Sequence, residues 1–169
     1  LLILGGTTEA SQLARLLADR GITATLSYAG RTENPRAQPI PVRTGGFGGA
    51  EGLAAWMTAQ RITHLIDATH PFAAQMSHNA HRAALATTTP LIRLMRPAWT
   101  PGPGDSWTHL RDLGEAVQRL NGAPRRIFLA IGRLHIAEFA AQPQHDYLLR
   151  LVDPPDALPL PCFGFEDAI

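Results

Sequence analysis

The segment Leu1-Leu2-Ile3-Leu4-Gly5-Gly6-Thr7-Thr8-Glu9 constrains the fold more than any other part of the chain. An unbroken apolar run needs cover on both of its faces, as a strand inside a parallel sheet has. Gly5 and Gly6 then turn the chain sharply. From Glu9 to Arg20 the apolar residues Ala10, Leu13, Ala14 and Leu17 fall on one helical stripe, with Gly21 placed as a C′ glycine. Strand, glycine turn and helix in that order open a βαβ unit. The turn matches a dinucleotide fingerprint only in part, because its first, third and sixth positions are Gly5, Thr7 and Ala10. Its physics still favours an anion: backbone amides and a helix N-terminus meet there, and the hydroxyls of Thr7 and Thr8 add donors. The same turn also reads as a plain strand-to-helix connection with Thr8 as N-cap.

Further along, strands are expected over Ile22 to Ala29, Ile40 to Arg43, His64 to Ala68, Leu91 to Met95, Arg126 to Ile131 and Tyr147 to Val152. Helices are expected over Glu51 to Gln60, from Pro71 to about Ala86, Asp112 to Leu120 and Arg133 to Ala141. Pro71 is taken as part of the first helical turn, where its missing N–H costs nothing. Strands alternating with single helices predict an α/β fold, a Rossmann-like open and mostly parallel sheet with helices on both faces. Residues 1–152 are expected to form one cofactor-binding domain. Pro154 to Pro161 reads as a linker, so residues 153–169 are expected to be that linker and the start of a second lobe. The chain begins without Met and is expected to be a trimmed or partial one.

Composition narrows the function. A formal net charge of +1 with only 17% charged residues argues against a nucleic-acid binder held by phosphate neutralisation. One cysteine, Cys162, excludes an internal disulfide framework and a Cys-rich metal site. His78 and His81 lie three apart on one helix, and His64, His109, His135 and His145 are scattered, so no metal site is expected. No apolar run is long enough to span a bilayer and no leader pattern precedes the first strand, which predicts a cytoplasmic protein without a membrane partner.

Ligands of open parallel sheets bind at the carboxyl ends of the strands, which selects a short set of residues. At the second strand's end, Tyr28-Ala29-Gly30-Arg31 offers an arginine and no acid, a preference for the 2′-phosphate of NADPH over NADH. Gly45-Gly46-Phe47-Gly48-Gly49 carries a backbone entropy cost that filler does not explain. It lets a ligand approach the backbone, with Phe47 against a flat ring, or it serves as a hinge loop. Asp67-Ala68-Thr69-His70-Pro71-Phe72 places a carboxylate, a hydroxyl and an imidazole where a nicotinamide should lie. His70 is the candidate proton donor, Asp67 its orienting partner or an amide acceptor, and Ala68 and Thr69 border the cofactor. Capping of the following helix is the competing reading of Thr69 and His70. Arg93, Arg96 and Arg133, with Gly132 and Trp99 beside them, suit a broad ring carrying several carboxylates.

As an ordered set these motifs resemble the precorrin-6A reductase family of cobalamin biosynthesis. The resemblance rests on Ile3 to Ala10, Ala29-Gly30-Arg31, Gly45 to Gly49, Ile66 to Ala73, Arg93-Leu94-Met95-Arg96-Pro97-Ala98-Trp99 and Ile131-Gly132-Arg133. It implies hydride transfer from NADPH to a ring double bond of precorrin-6A, giving precorrin-6B, with the tetrapyrrole between two Rossmann-like lobes. It also implies further chain beyond Ile169. Metal-free and cobalt-containing substrates both remain open, as do the proton donor and the oligomeric state. Another NADP-linked oxidoreductase, a non-catalytic nucleotide-binding module and a nucleotide-sugar transferase are the rival readings.

Overall fold

The computed structural model describes residues 1–29, 37–151, 160 and 162–167. The apolar opening run becomes β1 (Leu2–Leu4), all three residues of which are buried. Side chains alternate across a strand, and the two faces of β1 serve two different cores. Ile3 packs with Ala10, Ala14 and Leu17 of α1 (Thr8–Asp19), and with Leu26 and Ile66. Leu2 and Leu4 pack with Leu53 and Met57 of α2 (Gly49–Ala59), and with Ala80, Ala83 and Ala84 of α3 (Ala74–Thr87). Each fully buried Leu or Ile here contributes about 1.5–3 kcal/mol relative to exposure. Helix α1 leaves through the paired backbone bonds Gly21 N to Ala18 O and Ile22 N to Leu17 O, a Schellman ending.

Five parallel strands make this sheet in the order β3-β2-β1-β4-β5, with β2 (Thr25–Tyr28), β3 (Val42–Thr44), β4 (Leu65–Asp67) and β5 (Leu91–Arg93). The chain runs outward from β1 to β3, then crosses back and continues from β4 on the other side. Strand order therefore reverses between β1 and β4, where Leu4 lies opposite Asp67. That reversal opens a crevice at the carboxyl ends of the two strands.

The sheet ends at β5. Strands β6 (Arg126–Leu129), β7 (Asp146–Leu151) and β8 (Cys162–Asp167) form a separate parallel sheet in that order. The chain divides into two compact units, Leu1–Trp99 and Thr100–Ile169. This differs from the single domain expected over residues 1–152; β8 follows the prolines expected to be a linker, and residues 152–159 and 161 lie outside the described residues. Pro97, Pro101, Gly102, Pro103 and Gly104 keep the intervening chain out of regular structure, which ends the first unit. The second unit has its own core, in which Val117 of α4 (Leu113–Arg119) meets Leu129, Phe139, Tyr147 and Leu149. His145 belongs to this unit as a satisfied buried group: its Nδ1 accepts from Arg125 N at 3.1 Å and its Nε2 donates to Leu120 O at 2.7 Å. Among the described residues no helix is long and apolar enough to cross a membrane.

Candidate functional site

The first unit's crevice is built from the turn after β1 and the segment after β4. Gly5 donates its amide to Ser27 O at 2.9 Å, holding the turn over β2. A Cβ at Gly5 would come within 2.6 Å of Leu26 Cδ1, so any larger residue there would have to displace the buried Leu26 side chain. Gly6 has φ +125, a conformation that L side chains rarely adopt, and the space beside it is open for 4 Å. Thr7, in extended conformation, is the N-cap of α1, with its Oγ1 accepting from Ala10 N at 3.2 Å. This corrects the expectation that Thr8 caps the helix: Thr8 is the first helical residue and is exposed. The Thr7 hydroxyl also donates to Ala68 O at 2.9 Å, so one side chain joins the two loops across the reversal. The first-turn amide of Thr8 has no intrahelical acceptor, and that of Glu9 meets only its own carboxylate, which leaves the end of α1 suited to an anion.

After β4, Asp67 is buried and its carboxylate is fully engaged. Oδ1 accepts from Thr69 N at 3.1 Å and from Thr69 Oγ1 at 2.6 Å, while Oδ2 lies 3.8 Å from Arg93 Nε on β5. Its hydrogen bonds run to Thr69 and its ion pair to Arg93, not to the His70 imidazole. Pro71 does not enter a helix. Ala73 N donates to His70 O at 2.8 Å, a turn in which Pro71 takes the second position, and α3 begins only at Ala74. Thr69 and His70 therefore cap nothing. Thr69 is tied to Asp67, and the exposed His70 accepts from Phe72 N on its Nδ1 at 3.3 Å. The Phe72 ring is 5.0 Å from that imidazole and 90% exposed. Trp99 is 79% exposed, and Met95 is exposed as well.

The glycine-rich loop after β3 is organised by a residue that the sequence reading overlooked. Arg43 donates from Nη1 to Ser27 Oγ at 3.1 Å and to Gly45 O at 2.7 Å, and from Nη2 to Gly46 O at 2.9 Å. Its guanidinium also lies 3.8 Å from the centre of the Phe47 ring. Phe47 meets Trp56 edge-on at 5.6 Å, so the ring is a pillar of the loop with one face already covered. The available signal was its position: Arg43 is on β3, two residues before Gly45.

Two further placements matter. Arg96, on the segment after β5, pairs with Glu9 in the first turn of α1, its Nη2 lying 3.0 Å from Oε1 and 3.1 Å from Oε2. That hydrogen bond is the largest of the influences that hold the Glu9 carboxyl below its ordinary value of 4.5. Gly132 and Arg133 lie on the second unit, where Gly132 precedes a 3₁₀ segment over Arg133–Ala141. Gly30 and Arg31 lie outside the described residues. A mainly apolar groove of about 450 Å³ beside His81, Leu85 and Leu91 sits at the amino end of β5, away from the strand ends that carry these groups. Among the described residues no three His, Cys, Asp or Glu side chains come together to hold a metal ion.

The reversed strand order, the covered faces of β1 and the glycine turn into α1 define an α/β protein of the Rossmann-like class. A family model described as precorrin-6x reductase CbiJ/CobK matches residues 1–168. The chain belongs to that family. It is 59% identical to the precorrin-6A reductase of Rhodobacter capsulatus over 162 residues, covering 95% of this chain and 64% of that protein. It is 38% identical to the precorrin-6A reductase of Mycobacterium tuberculosis (95% of this chain, 64% of that protein). It is 30% identical to the cobalt-precorrin-6A reductase of Salmonella typhimurium (91% and 59%). The solved structure of a CobK precorrin-6A reductase superposes with a TM-score of 0.93 at 56% identity, covering 96% of this chain and 66% of that one. The chain thus spans less than two thirds of the length of these relatives, between 59% and 66%.

Proposed function

We propose that this chain is the NADPH-binding part of a reductase that converts precorrin-6A to its dihydro product in cobalamin biosynthesis, in the cytoplasm. The observation that carries the cofactor assignment is the bond from Thr7 Oγ1 to Ala68 O. It fixes the turn and the β4 end as one rim around the first turn of α1. The residues present suit a dinucleotide: Gly5 brings the turn down onto Leu26, and the space beside Gly6 is free of protein atoms for 4 Å. Gly5, Gly6, Thr7 and Thr8 hold the diphosphate in this reading, Gly30 and Arg31 the 2′-phosphate, and Ala68 and Thr69 border the nicotinamide. Gly45, Gly46 and Phe47 form a wall braced by Arg43.

Bound NADPH supplies the hydride, which adds to one carbon of a ring double bond, while a proton completes the neighbouring carbon. The chain's task is to place donor and acceptor against each other. The exposed His70 is the candidate donor to the ring, as an imidazolium that becomes neutral on giving up its proton, with water as the alternative. Asp67 acts through Thr69, whose backbone and hydroxyl it fixes. Trp99 offers an exposed aromatic face to the macrocycle. Gly132 and Arg133 are assigned to the substrate's carboxylates from motif order. A metal-free substrate is favoured over the cobalt form, because relatives named for the metal-free reaction are the more similar, at 59% against 30% identity.

The test is the absorbance of NADPH as the intact protein meets precorrin-6A made by upstream enzymes. Oxidation that requires the tetrapyrrole is expected, faster with the metal-free form. No oxidation with either form defeats the reductase reading. NADPH binding without turnover supports a nucleotide-binding module in its place.

A further inference from the structure

The carboxylate of Glu9 stands in the first turn of the helix whose N-terminus is assigned to the cofactor's diphosphate. A negative side chain there stabilises the helix itself. It also opposes any second anion brought to the same helix end, since like charges at short range repel. The structure resolves this conflict with a residue far away in sequence: Arg96 reaches Glu9 from the segment after β5, 87 positions on. A single nitrogen, Nη2, meets both carboxylate oxygens, and the Arg96 side chain keeps about half of its surface in solvent. We infer that Arg96 is a positioning residue for the cofactor, acting through Glu9: it neutralises the carboxylate at the mouth of the diphosphate site so that an anionic ligand can settle on the first-turn amides.

This inference rests on the NADPH reading, and it moves Arg96 from the substrate's side of the crevice to the cofactor's. It makes a prediction about sign that a direct ligand contact does not. Removing Arg96 leaves Glu9 facing the diphosphate unmatched, so affinity falls. Removing the charge of Glu9 as well removes the reason for the arginine, so affinity returns. A guanidinium that bonded the ligand directly, or merely braced a loop, would not be replaced by losing its partner.

The experiment is a fluorescence titration of NADPH with wild type, Arg96→Ala, Glu9→Gln and the double variant, at low and high salt. Arg96→Ala is expected to weaken binding on the order of tenfold at low salt, less at high salt. The double variant is expected within about twofold of wild type, and Glu9→Gln alone equal to or tighter than wild type. A double variant as weak as Arg96→Ala overturns the inference, as does weaker binding by Glu9→Gln alone. Unchanged binding by Arg96→Ala overturns it too. Arg96→Lys, which keeps the charge, covers the case in which Arg96→Ala folds poorly: it is expected to bind NADPH close to wild type, and a loss as large as that of Arg96→Ala overturns the inference. Failure of the wild type to bind NADPH has a different signature: it removes the cofactor reading and this inference with it.

Discussion

The hydroxyl of Thr7 donates to the carbonyl of Ala68 at 2.9 Å while accepting from the amide of Ala10 at 3.2 Å. One side chain thereby caps α1 and ties the β1 turn to the β4 end at the point where strand order reverses. Thr7→Ala loses both bonds, and the cap alone is worth about 0.5–2 kcal/mol. Thr7→Ser keeps the oxygen and both partners. Urea unfolding is expected to show a clear loss for Thr7→Ala and a small one for Thr7→Ser, with NADPH affinity following the same order. Equal losses for both variants would mean that the methyl group, and not the hydroxyl, matters.

Gly52 lies inside α2, where replacing glycine by alanine ordinarily gains about 1 kcal/mol of helix propensity. Here a Cβ would run into the carbonyl oxygen of Phe47, inside any allowed contact. Either α2 or the Phe47 loop must move, and overpacking of this kind costs about 1–3 kcal/mol. Gly52→Ala is therefore expected to lower the thermal midpoint, reversing the usual sign. An unchanged or raised midpoint would show that the loop yields freely.

The Glu9 carboxyl sits below its ordinary value of 4.5, chiefly through the hydrogen bond from Arg96. A group whose folded value is depressed favours the folded state while it is charged. Its contribution is fully present above 4.5 and is lost as pH falls through the lower folded value. Thermal melts of wild type and Glu9→Gln, stepped down from neutrality, are expected to differ most near neutral pH and to converge in acid. A gap that stays constant with pH would rule out the ion pair as its cause.

What the sequence made legible was mostly local. β1, the glycine turn and α1 follow from adjacent residues, and so does the Schellman ending at Gly21. The cap was misread by one position because Thr7 and Thr8 are chemically alike; the choice is made by Ala68, which is 61 residues distant. Pro71 suits both a first helical turn and a β-turn, and the bond from Ala73 to His70 decides for the turn. Strand content was readable at Arg126–Leu129 and Asp146–Leu151, but periodicity does not say which sheet a strand joins. β8 was hidden behind the prolines that precede it. Arg43 and the Glu9–Arg96 pair were missed for a shared reason: their meaning lies in partners that only the folded sheet brings near.

On the NADPH reading proposed above, Arg31 is the residue assigned the choice between the two nicotinamide cofactors. The chain leaves β2 at Tyr28 on its way to Arg31, and in open sheets of this order the second strand's end borders the adenosine ribose. An acid there would bond the 2′-hydroxyl of NADH; the sequence offers an arginine, and a guanidinium matches phosphate oxygens in charge and in fork geometry. A hydrogen bond to a charged group is worth about 1.5–3 kcal/mol, so Arg31→Ala is expected to weaken NADPH binding by about 10- to 100-fold. NADH lacks the phosphate and should lose less than about twofold. Parallel titrations of both cofactors against wild type and Arg31→Ala measure the difference directly. Arg31→Lys keeps the charge without the fork, so it should fall between the two for NADPH and leave NADH unchanged. Equal losses for NADPH and NADH would place Arg31 away from the 2′-phosphate and return the cofactor preference to an open question.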